Sequence, residues 1–393
     1  MFDRLPAQQP DKIIELMTTF RNDPRETKVD LGVGVYKNAD GLTPVMGAIK
    51  TAEQQLWHDE TTKTYVGLAG DAEFHDAMVR LILGADAPMD RIACAATPGG
   101  TGAIRNGFEM VQMANPKARF WISGPTWPNH PSILDYLNIE THVYRYYDPE
   151  TGGVDIDGMM DDLGKAAAGD IILLHGCCHN PTGANLRNDD WRTVSKLLSE
   201  RGLIPFIDIA YQGFGDGLEQ DAFGVRHLVE TLPEVLIAAS CSKNFGVYRE
   251  RVGVLIAVSE TSKQAVAQDS LTALNRLNYS FPPDHGARLV TMVLNDPKMR
   301  ANWETELDGV RDGLIVSRQN LAAALKDRLG SDRFGFLAEH RGMFSLLGLS
   351  ADEIERLRTE FGVYIIGDSR MNIAGLSETS VPIVADAILA VHG

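Results

Sequence analysis

Short apolar runs alternate with segments of helical periodicity through the middle of the chain. The apolar runs are RIACAA, ARFWIS, THVYRYY, DIILLH, LIPFIDIA, EVLIAAS and VGVLIAV. Helical patterns follow several of them: one begins at Thr101, one lies in WPNHPSILDYL and one lies near 188–200. Buried strands separated by helices are typical of parallel sheets covered on both faces. The pattern therefore predicts an α/β fold with a mostly parallel sheet flanked by helices.

The two ends of the chain predict a second, smaller α+β domain. One long helix is expected from about Leu307 to Leu329, followed by FGFLAEH, FSLLGLS, a helix at 351–361, VYIIG, RMNIAG and a last helix. The first 40 or so residues, a short helix and then VDLGVGVYK, lack a core of their own. We therefore predict three parts: 1–43 begins the small domain, 44–306 forms the large domain, and 307–393 supplies the linking helix and the rest of the small domain.

Composition and charge limit which binding partners and which cellular compartment are expected. The chain has 393 residues and a formal net charge of -16, which disfavours nucleic acid and anionic membranes as partners. No apolar stretch reaches membrane-spanning length, and the first residues do not form a secretory signal. The cysteines lack the paired spacing of a disulfide framework, so reduced thiols and a cytoplasmic location are expected. They are Cys94, Cys177, Cys178 and Cys241.

Polar residues follow the predicted strands, where parallel sheets bind their ligands. In PGGTGAIRNGF, Gly100 and Thr101 open a helix whose free N–H groups suit a phosphate, although a plain strand-to-helix turn has the same features. LLHGCCHNPTG offers the ligand types of a zinc site. However, its Asn-Pro turn argues against helical spacing of the two histidines, which favours a positioned Asn180 and a packed His175 over metal.

Charged residues at three further positions suggest chemistry or, alternatively, structural pairing. Asp208 ends an apolar strand, where a carboxylate needs a cation or serves as a helix cap, and Tyr211 follows it. Lys243 follows the strand EVLIAAS; it is either a surface lysine or a buried amine able to form a Schiff base. Arg276 and Arg370 are either ordinary ion-pair partners or two guanidinium groups that bind the carboxylates of a dicarboxylate substrate.

Taken together, these motifs resemble the class I aminotransferases, which are pyridoxal-phosphate enzymes of fold type I. The resemblance is carried by Asn180-Pro-Thr-Gly, Asp208-x-Ala-Tyr211, Ser240-x-Ser-Lys243 and Arg251, in this order. LGVGVYK, TKTYVG, PTWPNH, HGCCHNPTG, SKNFG, NYSFPP and SRMNIAG are similar to the aspartate and aromatic amino-acid aminotransferases, and most to the bacterial aromatic ones.

The resemblance implies a role for each of these residues in binding pyridoxal 5'-phosphate. Lys243 would carry the cofactor covalently and move the proton, and Asp208 would keep the pyridine nitrogen protonated. Tyr211 and Asn180 would bind the phenolic oxygen, Trp127 would stack on the ring, and His130 and His175 would support the pocket. The phosphate would be held by Gly100, Thr101, Ser240, Arg251 and, from a partner subunit, Tyr65.

The resemblance also implies how amino acids and 2-oxo acids bind. Arg370 would hold the α-carboxylate, and Arg276 of a partner subunit would hold a side-chain carboxylate, so an obligate homodimer is expected. Gly34 would lie close to the substrate, and no metal is implied. Phe281 favours aromatic side chains, whereas Lys37 and Thr43 resemble the aspartate-selective kind.

These features predict transamination of tyrosine, phenylalanine and aspartate with 2-oxoglutarate. Three alternatives stay open: an aspartate-selective aminotransferase, a pyridoxal-phosphate lyase or decarboxylase, and a non-enzymatic protein with a doubly wound sheet that binds amino acids or nucleotides. Retention of two carboxylate-binding arginines argues against the lyase or decarboxylase.

Overall fold

A computed structural model describes residues 1–6, 12–38 and 41–392 of the chain. The strands are β1 Val29–Asp30, β2 Ile92–Pro98, β3 Phe120–Gly124, β4 Thr141–Arg145, β5 Tyr147–Asp148, β6 Gly153–Val154, β7 Ile171–His175, β8 Ile204–Ile209, β9 Val235–Ser240, β10 Val252–Val258, β11 Phe344–Leu346, β12 Val363–Tyr364 and β13 Arg370–Asn372. The helices are α1 Lys12–Asn22, α2 Gly47–Asp59, α3 Ala72–Leu83, α4 Gly99–Ala114, α5 Asn129–Tyr136, α6 Ile156–Leu163, α7 Asn188–Arg201, α8 Leu218–Asp221, α9 Phe223–Thr231, α10 Gln264–Asn278, α11 His285–Asn295, α12 Pro297–Leu329, α13 Phe336–Glu339, α14 Ala351–Phe361 and α15 Ser380–His392.

The central sheet has seven strands in the order β2-β10-β9-β8-β7-β3-β4. The neighbours from β9 to β4 are parallel, whereas β10 runs antiparallel to both β2 and β9. The predicted α/β fold with a mostly parallel, mixed sheet is therefore confirmed. The apolar runs named above form these strands.

Both faces of the sheet are buried, which explains why its strands read as continuous apolar runs. Ile171 and Leu173 of β7 belong to one core cluster, and their neighbours Ile172 and Leu174 belong to another. In the first cluster the Phe108 ring of α4 lies 4.8 Å from Phe120 and 5.2 Å from Phe206, measured between ring centroids. Side chains alternate across a strand, so burial on both faces requires apolar residues at every position.

The long helix α12 begins ten residues before its predicted start at Leu307, at Pro297. Asp296 caps it by accepting hydrogen bonds from the backbone N–H groups of Lys298 and Met299, and proline is tolerated in the first turn. The helix ends at Gly330, whose φ of +63° belongs to the left-handed region. The predicted boundary between 306 and 307 therefore lies inside one continuous helix.

The N-terminal segment packs against the C-terminal part of the chain. Strand β1 pairs in parallel with β12, and the Asn372 side chain donates to the carbonyl oxygens of Val33 and Val35. Strands β11 and β13 form a separate antiparallel pair, and the division of the chain into domains stays a prediction. Within the described residues, the helices are all too short or too polar to cross a bilayer.

Candidate functional site

The carboxyl ends of the parallel strands converge on one cavity. In the sheet register His175 at the end of β7 pairs with Asp208 of β8, and Ser240 ends β9 beside them. The cavity has a volume of about 100 Å³. Its lining is Gly100, Thr101, Ile104, Trp127, His175, Cys177, Asn180, Asp208, Ala210, Tyr211, Ser240, Ser242, Lys243 and Arg251.

Lys243 lies in the turn after β9, with its amine inside the cavity. Its Nζ is 5.1 Å from the centroid of the Tyr211 ring. Burial lowers the pKa of the Lys243 amine, the positive charge of Arg251 lowers it further, and Asp208 opposes the change. A lowered pKa increases the fraction of neutral amine, which is the nucleophilic form. The surface-lysine alternative is therefore disfavoured.

Asp208 is anchored by a chain of hydrogen bonds below the cavity. His130 Nε2 lies 3.0 Å from Asp208 Oδ2, and the Thr126 hydroxyl lies 2.8 Å from His130 Nδ1 and 3.1 Å from His175 Nε2. Burial alone would raise the pKa of Asp208, but the hydrogen bond and charge of His130, with the nearby His175 and Lys243, lower it below its ordinary value. Asp208 therefore presents a negative charge to the cavity.

The first turn of α4 and the residues around Arg251 form a cradle for an anion. The Ser240 hydroxyl accepts from the Ser242 N–H at 3.2 Å, and Arg251 Nη1 donates weakly to the Ser242 hydroxyl at 3.4 Å. A Cβ added to Gly99 would lie 2.4 Å from Arg251 Nη2, so only glycine leaves room for this guanidinium. Free helix N–H groups, hydroxyls and a cation are the donors that suit a phosphate.

Arg370 is a buried cation with unused hydrogen-bonding capacity. It is 5% exposed, and its Nη1 donates to Asn180 Oδ1 at 3.2 Å. Its Cζ lies 4.6 Å from the centroid of the Phe344 ring, and its Nε finds no hydrogen-bond partner among the described residues. An unsatisfied buried donor is costly, and a bidentate carboxylate would satisfy it.

Gly34 lies against the same aromatic ring. A Cβ added to Gly34 would approach the Phe344 Cζ to 3.1 Å, so a side chain here would crowd Phe344. Gly34 and Arg370 therefore both lie near the Phe344 ring, and the close approach of Gly34 to the substrate that the resemblance implies stays a prediction.

Tyr65 and Arg276 lie outside the cavity of their own chain. Tyr65 is 83% exposed, and its ring stacks on Phe281 with a centroid distance of 4.5 Å. Arg276 is exposed and donates to the Ser280 hydroxyl at 2.6 Å. Their assignment to the site of a partner subunit stays a prediction.

The two residues that resembled the aspartate-selective kind are engaged within the chain. Lys37 Nζ forms an ion pair with Asp30 Oδ2 at 2.7 Å, and the Thr43 hydroxyl donates to the Tyr36 carbonyl oxygen at 2.9 Å. Both contacts lie within the N-terminal segment, and the bearing of these two residues on substrate preference stays a prediction.

Sequence reasoning missed several residues that shape the site. Thr126 lies within PTWPNH, which the resemblance had quoted, but nothing in the motif distinguishes its hydroxyl as the link between two histidines. Phe344 belongs to an apolar run that predicted only core packing. Its place beneath Arg370 depends on how β11 and β13 pair, which no local signal reveals.

One group of side chains among the described residues could hold a metal by its spacing. The ligand atoms of Cys177, Cys178 and Asp221 lie within 4.8 Å of one another. Asp221, however, already accepts backbone N–H groups of Gly213, Gly215 and Asp216 at 2.8–2.9 Å. This carboxylate therefore anchors the loop after β8.

Comparison with known proteins identifies close relatives. The family described as "Aminotransferase class I and II" matches residues 26–388. The chain is 54% identical over 392 residues to an aromatic-amino-acid aminotransferase of Paracoccus denitrificans, with 100% of each chain covered. It is 41% identical over 397 residues to an aspartate aminotransferase of Escherichia coli K12, again with 100% of each covered. The solved structure of an aromatic-amino-acid aminotransferase from Burkholderia pseudomallei, covalently bound to pyridoxal phosphate, has a TM-score of 0.98 at 39% identity and covers 100% of both chains.

Proposed function

Because this chain belongs to the class I and II aminotransferases, we propose that it uses pyridoxal phosphate to transfer amino groups between aromatic amino acids or aspartate and 2-oxoglutarate. The observation that carries this proposal is that Lys243, Asp208 and the α4 anion cradle line one cavity. A solved relative that holds this cofactor covalently and shares the fold supports it further.

The residues present fit the cofactor at both of its ends. The cradle at Gly100, Thr101, Ser240 and Arg251 would hold its phosphate, and Asp208 would hold a proton on its ring nitrogen. Bound pyridoxal phosphate supplies a ring that withdraws the electron pair released at the substrate Cα.

The chain's own groups do the remaining work around that ring. The Lys243 amine would hold the cofactor, and its lowered pKa suits it to accept the proton from the substrate Cα. Tyr211, Asn180 and Trp127 line the same cavity; the first two would bind the phenolic oxygen, and Trp127 would cover one ring face. Arg370 would hold the α-carboxylate, which keeps that group in the product and disfavours a decarboxylase.

We extend the proposal to an obligate homodimer in the cytoplasm. Tyr65 and Arg276 lie outside the cavity of their own chain, and large apolar side chains nearby in sequence are uncovered, Trp57 at 85% and Leu277 at 80% exposure. A partner subunit would bury the apolar side chains, and its cavity would receive Tyr65 and Arg276. The four cysteines are buried free thiols, which accords with a reducing compartment.

The test is steady-state turnover of tyrosine, phenylalanine and aspartate with 2-oxoglutarate, with Lys243→Ala as the inactive control. We expect all three amino acids to react and the purified protein to show a visible absorption band from bound cofactor. A bound cofactor without amino transfer would refute the proposed reaction, and absence of the band would refute the cofactor site.

A further inference from the structure

Arg318 of α12 is fully buried, at 0% exposure, and it lies outside the cavity described above. Within the described part of the chain it pairs with no carboxylate, and its Nε lacks a partner. Burying a cation without a counter-ion is expensive unless its hydrogen bonds are satisfied. Its two terminal nitrogens donate to the carbonyl oxygens of Leu337 at 3.3 Å, Arg341 at 3.4 Å, Gly342 at 2.8 Å and Phe344 at 2.7 Å, and to the Ser345 hydroxyl at 2.7 Å.

Four of these five acceptors lie in one short stretch, 341–345, which includes the start of β11. The turn after Asn180 also holds this stretch, because the Arg341 N–H donates to the Gly183 carbonyl oxygen at 2.9 Å. A Cβ added to Gly183 would lie 2.3 Å from the Phe344 carbonyl oxygen, so the two segments are in close contact. The stretch is therefore clamped between α12 and the turn that carries Asn180.

The clamped stretch carries the ring on which Arg370 rests. The guanidinium of Arg370 lies 4.6 Å from the Phe344 centroid, and its one side-chain hydrogen bond among the described residues is the 3.2 Å contact with Asn180. Stacking on an aromatic face fixes the plane of a guanidinium, and the plane decides whether a carboxylate can be bound at two points. The orientation of Arg370 thus depends on where Phe344 is held.

We infer that Arg318 is a positioning residue for the α-carboxylate site, acting through the backbone of Phe344 on the plane of Arg370. This inference rests on the proposed function, in which Arg370 binds the α-carboxylate. Through Arg318, α12 would then contribute to the selection of substrates that carry an α-carboxylate.

The experiment compares two reagents that differ in a carboxylate. Aminooxyacetate and O-methylhydroxylamine would both form an oxime at the cofactor carbon held by Lys243 and release the lysine amine, but only aminooxyacetate offers a carboxylate to Arg370. The ratio of their second-order rate constants on the purified holoenzyme reports carboxylate binding separately from cofactor reactivity. Affinity for 3-phenylpropionate, measured by calorimetry, gives an independent readout that needs no reaction.

Arg318→Lys keeps the charge but replaces the planar fork by a single nitrogen, which cannot take the positions of both terminal nitrogens of Arg318. We expect it to reduce the rate ratio and the affinity for 3-phenylpropionate by about tenfold, as for a misplaced binding group, while the O-methylhydroxylamine rate changes by less than about twofold. Arg328→Lys, on the same helix but paired with Asp386 at its surface, is the matched control and should change neither quantity.

Two variants keep the inference testable if Arg318→Lys does not fold. Ser345→Ala removes one acceptor of Arg318, and Phe344→Leu removes the face beneath Arg370; both should lower the ratio in the same direction. A lower melting temperature with an unchanged ratio in these variants would overturn the inference and leave Arg318 as a fold-supporting residue.

Arg370→Leu separates this failure from failure of the proposed function. If Arg370→Leu abolishes the carboxylate advantage while the Arg318, Ser345 and Phe344 variants retain it, the positioning role alone is wrong. If Arg370→Leu also retains the advantage, the proposed α-carboxylate site is wrong and the inference falls with it.

Discussion

Replacing Asp208 by asparagine tests whether its charge, rather than its shape, supports turnover. Asparagine has nearly the same volume and can still accept the hydrogen bond that His130 now makes to Asp208 Oδ2 at 3.0 Å. The Asp208 side chain is 12% exposed and that of His130 is 0% exposed, so water cannot replace the lost charge. The perturbation therefore removes a buried anion and leaves the packing nearly intact.

The expected loss of rate follows from breaking one buried ion pair, the one proposed between Asp208 and the protonated ring nitrogen of the cofactor. Removing one partner costs about 3–5 kcal/mol, because the other charge is left uncompensated. The ring nitrogen would then hold its proton less strongly. At about 1.4 kcal/mol for each factor of ten, the rate of proton transfer should fall by about 150- to 5,000-fold. Folding stability should fall by only about 1 kcal/mol, as for one weakened hydrogen bond.

The assay is single-turnover kinetics with tyrosine, following the absorbance of the bound cofactor, together with thermal melting of the same preparations. Asp208→Glu keeps the charge and should lose less rate than Asp208→Asn. Asp221→Asn is the matched control: this buried aspartate accepts three backbone N–H groups of a loop, so its loss should lower the melting temperature and spare the rate. A near-normal rate for Asp208→Asn, or equal rate losses at both positions, would refute the electrostatic role.

Borohydride reduction followed by peptide mapping should place the cofactor on Lys243, and Lys243→Ala should fold yet lose turnover; a label on another lysine would contradict the assignment. Arg276→Ala should lose about 3 kcal/mol, or a hundredfold, in kcat/KM for aspartate, but less than about tenfold for phenylalanine, and equal losses would mean that Arg276 is structural. Mixed dimers of the Lys243→Ala and Arg276→Ala chains should recover aspartate turnover at one site each, because Arg276 is predicted to act across the interface; no recovery would place it in its own chain's site. Gly107→Ala should lower stability by about 1–3 kcal/mol in denaturant melts, because its Cβ would lie 2.3 Å from the Phe206 ring, and an unchanged melt would show that the helix shifts freely.

Local signals in the sequence determined the helices and strands and most of the residues that are proposed to bind the cofactor. The helix at 351–361 has its predicted bounds, and in the structure Ser350 and Glu353 form a capping box, a signal that needs no distant partner. Asp208, Ser240 and Lys243 could be predicted to converge because parallel strands end at the same edge of a sheet, whatever their separation along the chain. The early start of α12 was missed although Asp296 and Pro297 are a local signal, because 297–306 carries few apolar residues.

Tertiary structure alone decided which side chains support those groups. Thr126 joins the neighbouring His130 to His175, which is 49 residues further along the chain, and Arg318 reaches Phe344, 26 residues away, and so Arg370. Hydrogen-bond geometry of this kind depends on ångström-scale distances, whereas periodicity and spacing report only which face of an element a residue occupies. For the same reason, the sequence could show that Arg318 lies on a helix but not that its guanidinium is buried against backbone carbonyl groups.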